Sequence, residues 1–411
     1  MKNIFFLILF LPQFISWGQV KVLFDATKAQ MAGNADWVID ADEHDIGFSN
    51  GVLNYNGNES DPQRFPTPDQ STVTDTTRED YWAGGISAWG IDAVQAKFKA
   101  DIEVEFQVET LPVTGKITYG DASNEQDLSH YNIFVVVEPN WLFTAEEKTA
   151  IYDFVYNGGN LFLISDHTNS DRDGDGYDSV DVWDDFLTDN HLGYNPFGIE
   201  VNYENFTEGS YAIADLPDNP VLYGPYGDVT EVEFYAGTSF TVDYTQNPEA
   251  QALVFRNENM NNYEQVMIAS TVYGKGKVLA VGDSSIVDDG TGDPNDKLYD
   301  GWIKDANGNH RRLIMNAMIW MAQGISGVEN YSTNFFKVYT RGKNLIITSG
   351  EEEYKDGDFN INIYDMEGKV LKKEIKFDES SIIPLNFPSG IYIYTLKSGE
   401  IIIQAGKIFL N

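Results

Sequence analysis

Three aspartates stand directly after apolar, β-branched runs: Asp25 after residues 20–24 (VKVLF), Asp166 after 160–165 (NLFLIS) and Asp283 after 277–282 (KVLAVG). His167 follows the second of them. If each run is a strand of one open α/β sheet, the residues after the strands face the crevice in which such sheets bind ligands. Carboxylates gathered there with one imidazole make an oxygen-rich site suited to magnesium, calcium, manganese or, less readily, zinc. A divalent cation so held activates water for hydrolysis. His167, whose ordinary pKa is close to neutrality, is alternatively a general base. Asp166 and His167 are therefore the expected catalytic pair, with Asp25 and Asp283 as ligands of a cation in the crevice. The competing reading is plain: an aspartate after a strand commonly caps a helix or closes a turn.

The stretch 171–179 (DRDGDGYDS) follows at once. Asp171, Asp173 and Asp175 occupy positions one, three and five, and Gly176 position six, as at the start of a calcium loop. Position twelve is Val182 rather than glutamate, so Asp178, Asp181 or Asp184 must close a shorter loop. Calcium there shapes the crevice rim; without it the stretch is a solvated acidic turn. A second acidic loop, 288–296, follows Asp283, with Asp300, His310 and Arg311 beyond it. Lys28, Asn34, Asp36, Trp37, Asp40 and His44 cluster after Asp25. Trp37, Trp82 and Trp89 are either sugar platforms or, more often for such residues, core.

The elements that must position these residues are legible. Residues 131–137 (YNIFVVV) read as a buried strand. Thr144 is an N-cap with Glu147 three residues on, a helix runs to Tyr156, Gly158-Gly159 closes it, and 160–165 is the next strand. That is a βαβ unit. A long polar segment, 26–80, precedes a helical pattern at 86–100 and an alternating strand at 102–106. Residues 252–255, 266–271 and 277–281 read as late strands, the last two joined by a turn at Gly274-Lys275. A helix at 311–321 follows. The expected fold is α/β, an open, mostly parallel sheet with helices on both faces and an antiparallel edge, followed by a small all-β sandwich.

Composition narrows the function. The chain of 411 residues holds 64 acidic and 27 basic residues, a net charge of -37, and no cysteine. That charge repels phosphate backbones and anionic lipid, so nucleic acid is an unsuitable ligand. The missing thiol excludes disulfides, thiolate metal sites and a cysteine nucleophile. A charged tip, the apolar run 4–15 and small residues before a cut after Gly18 read as a removable signal peptide, residues 1–18. No later stretch approaches the roughly 20 apolar residues of a transmembrane helix. After Gly324 there are ten basic and twelve acidic residues, so nearly all the net charge lies before it. Short strands with turns at Glu367-Gly368 and Ser398-Gly399 then read as a β-sandwich. The expected division is 1–18, an α/β domain at 19–324 and a β-domain at 325–411.

Residues 361–370 (INIYDMEGKV), 388–394 (PSGIYIY) and 406–410 (GKIFL) resemble the type A C-terminal sorting domain of the type IX secretion system. Tyr331-Ser332-Thr333-Asn334 stands where that family has a Pro-Asn-Pro entry. The resemblance implies recognition by the type IX machinery, export through the periplasm, and release or attachment at the outer surface. An ordinary carbohydrate-binding or spacer sandwich is the alternative.

Residues 131–167 with Gly158-Gly159, and the segments Gly274-Lys275-Gly276, Gly282-Asp283-Ser284-Ser285 and Asn316-Ala317-Met318-Ile319-Trp320, resemble the class I glutamine amidotransferase-like, flavodoxin-type fold that includes ThuA-like proteins. Catalytic members carry a cysteine on the turn after the strand matching 160–165. Asp166-His167 occupies that turn here, so amidotransferase activity is not implied. Two readings stand: a secreted, metal-assisted hydrolase of an extracellular small molecule or polysaccharide, and a calcium-stabilised protein whose crevice binds an oligosaccharide or partner without chemistry.

Overall fold

The strand ends that matter belong to a nine-stranded sheet. In chain order the main elements are β1 (Gln19–Asp25), α1 (Ser87–Gln95), β2 (Glu105–Leu111), β3 (Ile133–Val137), α2 (Ala145–Tyr156), β4 (Asn160–Ile164) and α3 (Ser179–Thr188). They continue with β5 (Ile199–Val201), β6 (Phe206–Ser210), β7 (Val232–Gly237), β8 (Phe240–Val242), β9 (Gln251–Phe255), β10 (Val266–Tyr273), β11 (Gly276–Val281) and α4 (Asn309–Ala322). The order is β2-β1-β3-β4-β11-β10-β8-β5, with β9 also paired to β10. β2, β1, β3, β4 and β11 are parallel, and β10, β8, β5 and β9 are antiparallel additions.

The structure is a computed structural model describing residues 19–32, 35–39, 48–49, 52–53, 84–99, 102, 104–257, 260–290, 297–323, 336–341, 343–349, 359–365, 369–377, 380–398 and 401–410. The expected signal peptide, Asn34, Asp40, His44, Trp82, most of the 288–296 loop and the Glu367-Gly368 turn lie outside them.

Every residue of β3 and β4 is buried, as befits parallel strands covered on both faces. The βαβ unit forms as its sequence dictates. Thr144 accepts from the Glu147 N–H while Glu147 accepts from the Thr144 N–H, and Gly158 leaves α2 with φ of +115°. α1 is buried along its whole length. Its Trp89 meets Phe24 and Phe162 edge-on, each at 5.1 Å, and stacks on Trp302, so Trp89 is core rather than a sugar platform. The strand expected at 102–106 starts at Glu105 and runs to Leu111, with Phe106, Val108 and Thr110 inward. α3 was hidden behind the acidic stretch: Asp178 caps it, and with Asp181 completes a second capping box.

The chain divides into two compact units, Gly18–Gln323 and Gly324–Asn411. The second holds β12 (Phe336–Arg341), β13 (Asn344–Ser349), β14 (Phe359–Tyr364), β15 (Val370–Lys376), β16 (Ser380–Pro384), β17 (Gly390–Ser398) and β18 (Ile401–Leu410). They form two antiparallel sheets, β12-β13-β16 and β15-β14-β17-β18. Leu345 and Ile347 of the first share a core with Ile361, Ile363, Tyr394 and Leu396 of the second, which makes the unit a sandwich.

Candidate functional site

β3, β4 and β11 include neighbours in the sheet and end side by side. Glu138 directly follows β3, and Asp166 and Asp283 stand two residues past β4 and β11; the three are at 0%, 2% and 0% exposure. Burial of this kind is tolerated by charged groups only when partners are supplied. Glu138 takes Arg172 Nε on Oε1 at 3.1 Å, and on Oε2 the Trp37 indole N–H and the Ser284 hydroxyl at 2.7 Å. Ser284 follows β11 while Glu138 follows β3, so this bond spans the end of β4. The Arg172 Nη2 donates to Asp166 Oδ2 at 3.1 Å. Burial, then the charges of Glu138 and Asp283, push the Asp166 carboxyl well above its ordinary range despite Arg172. Arg172 is itself largely buried, but the two carboxylates drive it the other way and hold it protonated. Asp283 accepts the N–H groups of Tyr235 and Ser285. The approach depends on Gly282, where a Cβ would lie 2.1 Å from the Thr238 carbonyl oxygen.

His167 lies beside the Asp166–Arg172 pair, with its side chain 14% exposed. Its Nδ1 is 2.7 Å from the Thr168 carbonyl oxygen and 2.8 Å from the Asn205 amide nitrogen. Nε2 is 3.5 Å from Asp166 Oδ2 and 3.4 Å from Arg172 Nη2. Glu138 has φ of +42°, a costly conformation for a side chain of this kind. The loop after β4 holds such backbone as well, at Asn169 and Asp171 with φ of +65° and +35°.

Asp25 does not join this group. β3 lies between β1 and β4, which sets Asp25 about two strand spacings, or roughly 10 Å, from Asp166. Its carboxylate accepts from the Thr27 N–H and hydroxyl and from Gln30 Nε2, the turn-closing use open to any aspartate after a strand. Glu138 stands where Asp25 was expected, and Arg172 supplies the positive charge expected of a crevice cation.

Of the expected calcium ligands, the carboxylates of Asp171, Asp173 and Asp175 lie within 4.8 Å of one another. Among the described residues this is the one such acidic group. Asp178 is not in it, because its oxygens accept from Val180, Asp181 and Asn169 N–H groups at the start of α3. Burial first, then the neighbouring Asp173 and Asp171, raise Asp175, although the Tyr177 N–H opposes them. Asp173 is 2% exposed and accepts from the Trp141 indole. Gly174 and Gly176 take φ of +75° and +96° to turn the loop. Lys28 pairs with Glu147, Asp289 accepts from Ala88 N–H, Arg311 pairs with Asp92, and His310 is buried between Gly301 O and Glu233 N. These residues are committed to structure.

Residues 343–411 match the family described as secretion system C-terminal sorting domain, so the C-terminal unit is a sorting domain. No curated protein matches the chain. Solved structures similar to it include the N-terminal domain of mmIFT52, 13% identical over 74% of this chain and 98% of that one, with a TM-score of 0.37. A cytoplasmic protein from Salmonella typhimurium is 13% identical over 58% of this chain and 87% of its own, TM-score 0.35. A ThuA-like protein from Parabacteroides merdae is 12% identical over 75% and 92%, TM-score 0.33. Likenesses at this level carry no activity across.

Proposed function

We propose that the protein is delivered by its sorting domain to the outer surface or the medium after a signal-peptide route through the periplasm, and acts there as a hydrolase. The observation that carries the chemistry is the Glu138–Asp166 carboxyl pair clamped by one guanidinium at the ends of adjacent strands. A buried carboxyl whose pKa is raised retains a proton for a leaving group, while the His167 imidazole, 3.5 Å from it, is placed to shuttle it. Calcium, on this reading, binds Asp171, Asp173 and Asp175 at the rim and not the crevice carboxylates. Arg172 lies between two of those ligands in the chain, so the ion would fix the residue that clamps the pair.

One observation favours the non-catalytic alternative, a calcium-stiffened protein that binds a saccharide or partner. Both carboxyls are almost wholly buried, so a substrate must displace Arg172 or His167 to reach them. A panel of glycoside, ester and peptide substrates, with and without chelator, separates the two. Asp166→Asn keeps the shape of the pair and should cut hydrolysis by about 10²-fold or more. Unchanged turnover in that variant would remove the acid role, and inactivity of the wild type on every substrate class would leave the binding reading.

A further inference from the structure

Five of the six described tryptophans spend their indole N–H inside the protein: Trp37 on Glu138, Trp89 on the Met318 sulfur, Trp141 on Asp173, Trp183 on the Ile164 carbonyl and Trp302 on Asp92. Trp320, in the last turn of α4, differs. It is partly exposed and its N–H makes no hydrogen bond to a described residue. Trp320 forms one wall of a groove of about 360 Å³, a size typical of small-molecule sites. Pro217, Asp218, Glu249 and Gln251 form other walls, and Ser270 lines it from β10. Ser270 is 3% exposed, and its hydroxyl also lacks a partner among the described residues. The hydroxyl is not one of the sealed, unpaired polar atoms of the described residues, so it opens onto the groove, where a ligand or water can reach it. Val272, another lining residue, pairs with Lys277 at the start of β11, whereas Asp283 lies past its far end. The groove and the crevice are therefore at opposite ends of the same strands.

We propose that this groove binds a neutral saccharide, one or two sugar rings of a longer glycan, as an anchoring site separate from the crevice. The ligand class follows by elimination and by fit. Asp218 and Glu249 repel phosphate, sulfate and uronate groups. The Lys277 ammonium already lies 5.3 Å from the Trp320 ring centroid, which opposes a second cation over the indole. A sugar offers what remains: an apolar C–H face for the indole, and hydroxyls for the indole N–H, the Ser270 hydroxyl and the two carboxylates. Gln251 contributes its amide N–H groups, since its Oε1 accepts from Asn219 at 2.9 Å.

The test is isothermal titration of the full chain with cellohexaose, xylohexaose, mannohexaose and laminarihexaose, and with spermidine as a cationic probe. At least one hexaose should bind. Trp320→Ala should weaken that binding about tenfold, equivalent to about 1.4 kcal/mol. Gln251→Ala, at an exposed position, should weaken it severalfold and decides the matter if the tryptophan variant does not fold. No heat with any hexaose, binding of spermidine alone, or saccharide affinity unchanged in Gln251→Ala and in a folded Trp320→Ala overturns the proposal.

Discussion

Asp25 shows how one buried carboxyl ties stability to pH. Burial pushes it up to about 6, opposed by the charge of Lys28 and the hydrogen bonds from Thr27 and Gln30. An unfolded aspartate titrates near 3.9, so between the two values the folded protein holds the extra proton. Its contribution is complete below about pH 4 and is lost as pH rises through about 6. The shift corresponds to roughly 3 kcal/mol at 1.36 kcal/mol per unit. Asp25→Asn removes the titration, so denaturant unfolding at pH 4 and pH 8 should show wild type falling relative to the variant by about that amount. A constant difference between the two proteins across that range would sink the account. Asp25 was legible as a strand-end residue, but its local turn was the competing use, and the turn won. Glu138 obeyed the same rule, standing directly after VVV, yet a glutamate between a strand and a capped helix looks like ordinary loop. Arg172 was concealed for a different reason: in a calcium loop the second position is a spacer, and only folding reveals that its side chain turns back to the strand ends.

At the scale of elements, legibility followed the strength of local signals. The βαβ unit carries a capping box, a closing glycine pair and two continuous apolar runs, all agreeing. The segment between α3 and β9 has strands of two to six residues and pairs set by distant partners, such as Phe240 with both Val201 and Val266. No local pattern specifies pairing of that kind. α3 was missed because its first turn shares its carboxylates with the acidic run. Asp178 accepts the Val180 and Asp181 N–H groups and also the Asn169 N–H, joining the helix start to the turn after β4. Asp178→Ala removes a cap and that bridge, and should cost about 1–2 kcal/mol in denaturant unfolding. Asp178→Asn retains oxygen for the cap and should recover most of it. Equal losses in the two variants would mean that charge rather than capping is what the position supplies.

The whole molecule sets two units of different character in one chain. The sandwich has its own core, in which Phe336, Phe359 and Phe377 form a mutual aromatic trio with centroids 5.0–5.6 Å apart. The α/β unit carries nearly all the net negative charge and the whole of the strand-end site. A unit with its own core is expected to fold without its neighbour. Removing residues 326–411 should therefore leave a folded α/β unit, with native circular dichroism and a cooperative thermal transition, that stops in the periplasm. The full chain should reach the medium or the outer surface in the same cells. Fractionation with an antibody to the α/β unit reads the difference, and the circular dichroism guards against mistaking a misfolded protein for an undelivered one. A folded, truncated protein found outside the outer membrane in wild-type amount would mean that address information lies in the acidic unit. The sorting domain would then have some other use.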